Sequence, residues 1–300
     1  MSEIFLQFRG EFAALSAALI WAIASVIYTR VGRQLSPLTL NFTKGWIAIA
    51  LLILTFLITR QGIPALNPMG FSLLFLSGIV GIGFGDTAYF SALNCIGARR
   101  TLLFETLAPP LSALLALVFL HETLLPQAWL GIVLTISGVI WVILERVSET
   151  YGNFRPLQGS LYGLLAALGQ AGGAVLSRAA LVNTEIDSFW STLIRLLGGT
   201  ATLLVWILMQ RQSSDVVKPF QSTRLFIVIA GTAFMSTYLG IVLQQTSLKF
   251  AATGIAQALS STSPLFVIPI AWVMGDRISL RSVTGVLVAV IGVSLLFHRV

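Results

Sequence analysis

Residues 110–122 read Pro110-Leu111-Ser112-Ala113-Leu114-Leu115-Ala116-Leu117-Val118-Phe119-Leu120-His121-Glu122. Strands of a membrane barrel alternate apolar and polar side chains every second position, and this run does not. An apolar stretch between a proline and a charged turn reads as a helix inside a bilayer. The rest of the chain repeats that design. Ten stretches are long and apolar enough to cross: residues 12–29, 38–59, 71–93, 102–120, 128–144, 157–176, 189–209, 225–248, 251–274 and 283–297. Short charged or turn-forming separators lie between them, such as Arg33-Gln34-Leu35-Ser36-Pro37 and Gly97-Ala98-Arg99-Arg100. No remaining segment is long enough for a water-soluble domain. The expected fold is an all-α integral membrane protein of ten transmembrane helices, its first span retained because it lacks a small-residue cleavage site.

Composition agrees. Of the 300 residues 56% are apolar and 10% charged, against about 25% charged in a typical soluble domain. So little charge cannot cover a water-facing surface, which excludes a soluble enzyme, a disordered tail and a secreted disulfide scaffold. The single cysteine, Cys95, forms neither an internal disulfide nor a cysteine-rich metal site. The net charge of +7 is spread singly or in pairs along the chain. Nucleic-acid binding needs a basic face, so no nucleic-acid partner is expected and the lipid bilayer is.

The opening stretch also occurs twice. At an offset of 154, Pro110-Leu111 falls on Pro264-Leu265, Glu122 on Asp276, Gly131 on Gly285 and Gly138 on Gly292. At an offset of 151, Lys44 falls on Arg195 and Arg60-Gln61 on Arg211-Gln212. The spacing predicts two five-helix repeats, residues 1–150 and 151–300. Five is odd, so the second repeat enters the membrane from the opposite side. Inverted repeats mark transporters that bind substrate near the midplane between the halves; duplication in a membrane protein that transports nothing is the alternative.

The string Gly85-Asp86-Thr87-Ala88-Tyr89-Phe90-Ser91-Ala92-Leu93, with Gly97-Ala98, Pro110 and His121-Glu122, resembles the drug/metabolite transporter superfamily, EamA type. Tyr238-Leu239-Gly240, Ala251-Ala252, Pro264-Leu265-Phe266 and Gly275-Asp276 repeat the pattern, so the resemblance spans the whole chain. Asp276 departs from it, because the family usually carries Glu in both copies. The resemblance implies transport of a small metabolite, often an amino acid or related compound in the export direction, across the plasma (inner) membrane. Members also include carriers of sugar phosphates and nucleotide sugars. No cofactor is implied, and either a monomer or a homodimer fits.

Lysines and arginines between spans orient a membrane protein. Eleven lie on the side of Arg33, Arg99 and Arg155, five on the side of the termini, and Lys44 and Arg195 lie inside spans, making up the 18. This count places the termini outside, whereas the family resemblance implies cytoplasmic termini.

Ionisable residues deep in a span are costly and are functional candidates by default. Lys44, Asp86 and Glu105 share one half of the membrane on consecutive spans, roughly 7–12 Å from the arginine-rich side at 1.5 Å per residue. One or both carboxylates can pair with Lys44, and an unpaired one could exchange a proton for substrate. A satisfied ion pair pinning spans two to four is the structural alternative. Arg195, in the other half, has Gly240 and Leu259 where Asp86 and Glu105 have their second-copy counterparts. It must find backbone carbonyls, the first-copy acids, or an anionic group of a substrate.

Gln170 sits in mid-span. Gln257, Ser260, Ser261, Thr262 and Ser263 precede Pro264, where a broken helix at membrane depth would expose carbonyls to a ligand. Hydroxyls can equally bond their own helix. Tyr89 and Tyr238, like Trp21, could stack on a substrate, while Trp190 reads as an interfacial anchor. The glycines at 78, 81, 83 and 85, and the two Gly-x6-Gly pairs, read as close helix packing. His121-Glu122 occupies a turn and has too few companions for a metal site. Without a GxxxxGK[ST] motif the chain does not hydrolyse ATP alone, and two histidines and one cysteine are thin supply for an enzyme. A small-molecule carrier, with protons as a further candidate partner, is the leading expectation; a membrane-embedded enzyme or a non-transporting subunit is the alternative.

Overall fold

The computed structural model describes residues 6–31, 35–60, 62, 64, 67–143, 155–182, 184–210, 219–266 and 280–297. Among these the chain is helical throughout, with no strand. In chain order the α-helices are α1 Arg9–Val31, α2 Pro37–Thr59, α3 Pro68–Gly78, α4 Thr87–Glu105, α5 Ala108–Leu120, α6 Pro126–Ile143 and α7 Pro156–Leu181. They continue as α8 Ser188–Met209, α9 Thr223–Ala233, α10 Gly240–Phe250, α11 Thr253–Ser260 and α12 Leu280–Leu296. Two π-helical stretches, Ile79–Asp86 and Phe234–Leu239, join α3 to α4 and α9 to α10.

Local chemistry sets the ends. Ser36 and Asn67 cap α2 and α3 ahead of Pro37 and Pro68, and Asp187 and Ser222 cap α8 and α9. Each supplies a side-chain oxygen to an N–H that the helix leaves unpaired. Arg60 and His121 stop α2 and α5 in the left-handed conformation, at φ 52° and 55°.

Five helical segments are long and apolar enough to span a membrane: Pro37–Thr59, Pro68–Ile96, Pro156–Leu181, Ser188–Met209 and Thr223–Phe250. Shorter apolar helices cover Ala108–Leu120, Pro126–Trp141 and Val283–Leu296. Their outward faces carry large bare side chains, among them Leu57, Ile58 and Phe119. In water such faces would drive association; in hydrocarbon they are the solvent-matched surface. With α1 and the broken ninth span, whose residues 267–274 lie outside the described part, these make the ten-helix membrane fold.

Helix α4 carries the separator Gly97–Arg100 within it, where the sequence reading places a turn. The packing register still reverses there. Ser77 bonds Ser177, Gly85 touches Gly169 and Ile96 meets Gly159, so the third span runs antiparallel to α7. Phe104 then meets Gly163, and Glu122 meets Arg178, so the chain has turned back and runs alongside α7. Spans three and four are thus distinct, joined by a bend that keeps helical geometry.

Small residues set how closely the spans approach. A Cβ on Gly78 would lie 1.8 Å from the Arg195 carbonyl oxygen, and one on Gly198 2.2 Å from that of Phe75. On the far side of the molecule α6 and α12 pair glycine to glycine: a Cβ on Gly138 would lie 2.5 Å from the Gly285 carbonyl oxygen, and one on Gly292 2.8 Å from that of Gly131. The two Gly-x6-Gly motifs therefore face each other, as the packing reading of small residues requires.

Candidate functional site

The site begins at the first π-helical stretch, Ile79-Val80-Gly81-Ile82-Gly83-Phe84-Gly85-Asp86. Its three glycines are poor helix formers, and wider i→i+5 turns free carbonyls from the ordinary ladder. The Ile82 carbonyl accepts from Asn41 Nδ2 at 3.1 Å, deep in the protein. In the second repeat the Ser236 carbonyl, 154 residues on, accepts from the Trp21 indole N–H at 2.9 Å. The same register position is thus released in both π-helical stretches and satisfied by a side chain from another span.

Asp86 closes the first stretch. Its Oδ2 takes a hydrogen bond from Lys44 Nζ at 3.0 Å and its Oδ1 one from Gln170 Nε2 at 3.0 Å. Lys44 comes from α2 and Gln170 from α7, so the carboxylate ties the first repeat to the second. The Lys44 ammonium also lies over the Phe90 ring, 5.0 Å from its centroid. The two side chains keep 12% and 20% of their surface exposed. They form an ion pair inside the membrane span that is only partly covered by the protein.

Asp86 is the electrostatic hub of a wider group. Tyr28, Tyr89, Glu105 and Arg195 each lie within its coulombic reach. Glu105 does not join the ion pair: its Oε1 is buried with no hydrogen-bond partner. Of the two carboxylates expected near Lys44, Asp86 makes the pair and Glu105 stands beside it.

Arg195 differs from every partner foreseen for it. Its Nη1 donates to Gln245 Oε1 at 2.9 Å and to Gln244 Oε1 at 3.2 Å, and its Nε has no partner. It is 2% exposed, its guanidinium lying against the bare Cα of Gly81. At the offset of 154, Gln244 mirrors Phe90, the ring beneath Lys44. The two cations are therefore held alike, with the acid replaced by neutral amides in the second copy.

The remaining candidates are dispersed. Tyr238 is a core residue, its hydroxyl on Thr55 at 2.8 Å and its ring stacked on Phe234. Ser261 donates to the Ala258 carbonyl of its own helix, and Thr262 and Ser263 do likewise with Leu259 and Ser260. Gln257 is buried on α11. The break before Pro264 is real, since α11 ends at Ser260, and the Thr106–Leu107 turn before Pro109-Pro110 mirrors it. Trp190 stacks on Phe56 at 4.3 Å rather than standing free as an anchor. Asp276 lies outside the described residues.

One cluster reads in the sequence only as a turn. Glu122 pairs with Arg178. Its Oε2 accepts from the Thr253 N–H at 2.9 Å and the Thr253 hydroxyl at 3.0 Å. Arg178 Nη1 donates to the carbonyls of Leu248 and Lys249, at 2.8 and 2.9 Å. The signal was present in part: Ala251-Ala252 breaks a helix without offering a capping side chain, so the cap had to come from elsewhere.

The EamA-like transporter family matches the chain twice, over residues 8–144 and 157–298. An uncharacterized transporter of Archaeoglobus fulgidus is 25% identical over 285 residues, covering 94% of this chain and 96% of the relative. A crystal structure of a protein 17% identical superposes with a TM-score of 0.75 and covers 97% of both chains, a likeness of fold. With the family match falling on both halves and on the helices that carry the ion pair, this chain belongs to the EamA-like transporter family.

Proposed function

We propose that the protein is a secondary carrier that moves a small polar metabolite, an amino acid or related compound, outward across the plasma membrane. The two five-helix repeats, 1–150 and 151–300, alternate in exposing the site. The observation that carries this reading is the partly exposed Lys44–Asp86 pair gripped from the other half of the chain by Gln170. An ion pair costs desolvation in a bilayer, and opposite charges side by side suit a zwitterion, whose carboxylate and ammonium can each find a counterpart. Glu105, with Asp86 and Tyr89 facing it and its Oε1 free, is the group that would carry a proton in exchange.

The test is flux into and out of liposomes holding the purified protein, over a panel of amino acids, nucleosides and sugar phosphates. Flux of a zwitterion is expected, falling at least about tenfold in Asp86→Asn, where Lys44 loses its acid, a loss of about 1.4 kcal/mol or more. In Glu105→Gln transport persists but loses its pH dependence. Absence of flux across the panel refutes the carrier, and unaltered pH dependence in Glu105→Gln refutes the proton role.

A further inference from the structure

The Glu122–Arg178 cluster lies on the side of the termini, at the opposite end of the spans from the arginine-rich loops. It joins four helix ends: the C-terminus of α5, the last turn of α7, the C-terminus of α10 and the N-terminus of α11. Glu122 belongs to the first repeat and the other partners to the second. Between α10 and α11 the chain is extended at Ala251, at φ −122° and ψ 151°, so the two helices meet at a break that no ladder of hydrogen bonds stiffens. Ala252 offers no capping oxygen; Glu122 caps α11 in its place while Arg178 holds the final carbonyls of α10. The Arg9 guanidinium over the Phe250 ring, 3.2 Å from its centroid, and the close approach of Gly10 to Ala251 press the start of α1 onto the same break.

We propose that this ion pair is a clasp that shuts the transport path on the side of the termini and opens during the cycle. The inference rests on the carrier reading above. Two observations support a clasp over a fixed brace. Glu122 and Arg178 lie at helix ends and are not fully buried, at 16% and 15% side-chain exposure, so on parting each is at the end of the spans rather than deep in hydrocarbon. The bonds converge on a break in the chain, where α11 can swing away from α10. In this conformation the clasp is engaged.

A thiol probe tests the clasp without knowledge of the transported molecule. In a Cys95→Ser background, Gln257→Cys sits one turn inside the clasp on α11, and Ala48→Cys sits fully buried in the core. Labelling by a membrane-impermeant sulfonated methanethiosulfonate is read on each. With the clasp intact, Gln257→Cys reacts slowly. With Glu122→Gln, and separately with Glu122→Ala/Arg178→Ala, its rate rises about fivefold, the shift that loss of an ion pair worth about 1 kcal/mol gives a two-state equilibrium, while Ala48→Cys stays unreactive. An unchanged rate at Gln257→Cys overturns the proposal. So does a parallel rise at Ala48→Cys, which would make the pair a brace for the fold. Labelling is independent of flux, so loss of the clasp and loss of the carrier reading are told apart.

Discussion

At the scale of single residues, Lys44 and Arg195, one in each family match, show what the two halves keep and what they change. Both are cations inside spans, and both sit over the position one turn beyond the Asp86 register. Lys44 has a carboxylate and Arg195 has two amide oxygens. The sequence made the first partnership legible, because Lys44 and Asp86 fall at matching depth on consecutive spans. It could not show the second, since Gln244 and Gln245 read as unremarkable helix residues until the fold brings α10 against α8. The Glu122–Arg178 pair was illegible for the same reason: nothing local links residues that far apart. Removing one partner of a buried polar contact leaves the others unsatisfied, at about 1–3 kcal/mol each. Arg195→Met takes the donor from the buried Gln244 and Gln245 oxygens and is therefore expected to lower the thermal midpoint of the purified protein. If the guanidinium also takes part in transport, flux per folded molecule falls at least about tenfold. Flux falling only in step with folded protein would make Arg195 a structural residue.

At the scale of helices, the spans and their breaks were readable, and the π-helical stretches were not. Apolar runs near 20 residues locate spans because the bilayer fixes their length. A switch from i→i+4 to i→i+5 bonding leaves no signature in hydrophobicity, and the glycines at 81, 83 and 85 signalled packing alone. They serve both ends: bare Cα atoms admit α7 and α8, and the widened turns hand carbonyls to Asn41 and, in the second copy, to Trp21. Glycine substitutions separate packing from propensity. Gly78→Ala puts a methyl 1.8 Å from a backbone oxygen that cannot rotate away, so α3 and α8 must part, at about 1–3 kcal/mol. Gly231→Ala, on the exposed face of α9 with nothing within 4 Å, stabilises by about 0.5–1 kcal/mol through helix propensity alone. Thermal unfolding in detergent measures both, and shifts of the same sign would contradict the packing register.

At the scale of the whole molecule, the clasp and the ion pair divide the protein along the membrane normal. Glu122 and Arg178 are engaged on the side of the termini, while Lys44 and Asp86 remain partly exposed, with Asp86 about 12 Å from the arginine-rich end of its span. A path shut at the clasp admits solvent to the ion pair from the arginine-rich side. By the charge count alone, eleven lysines and arginines against five, that side is expected to be the cytoplasmic one. An exporter must load its substrate there, so charge count, clasp and direction of transport fit one arrangement: termini outside, clasp outside, site open to the cytoplasm. Cytoplasmic termini, as the family resemblance implies, would turn the same conformation outward and place the clasp on the cytoplasmic side. A reporter active only outside the cytoplasm, fused after Val300, decides between them. Activity is expected. Its absence, with a cytoplasm-active reporter working at the same junction, would reverse the orientation and make this the conformation that has already released its substrate. The two signs of charge that hold the clasp are the same in both cases, but the compartment whose water parts them is not.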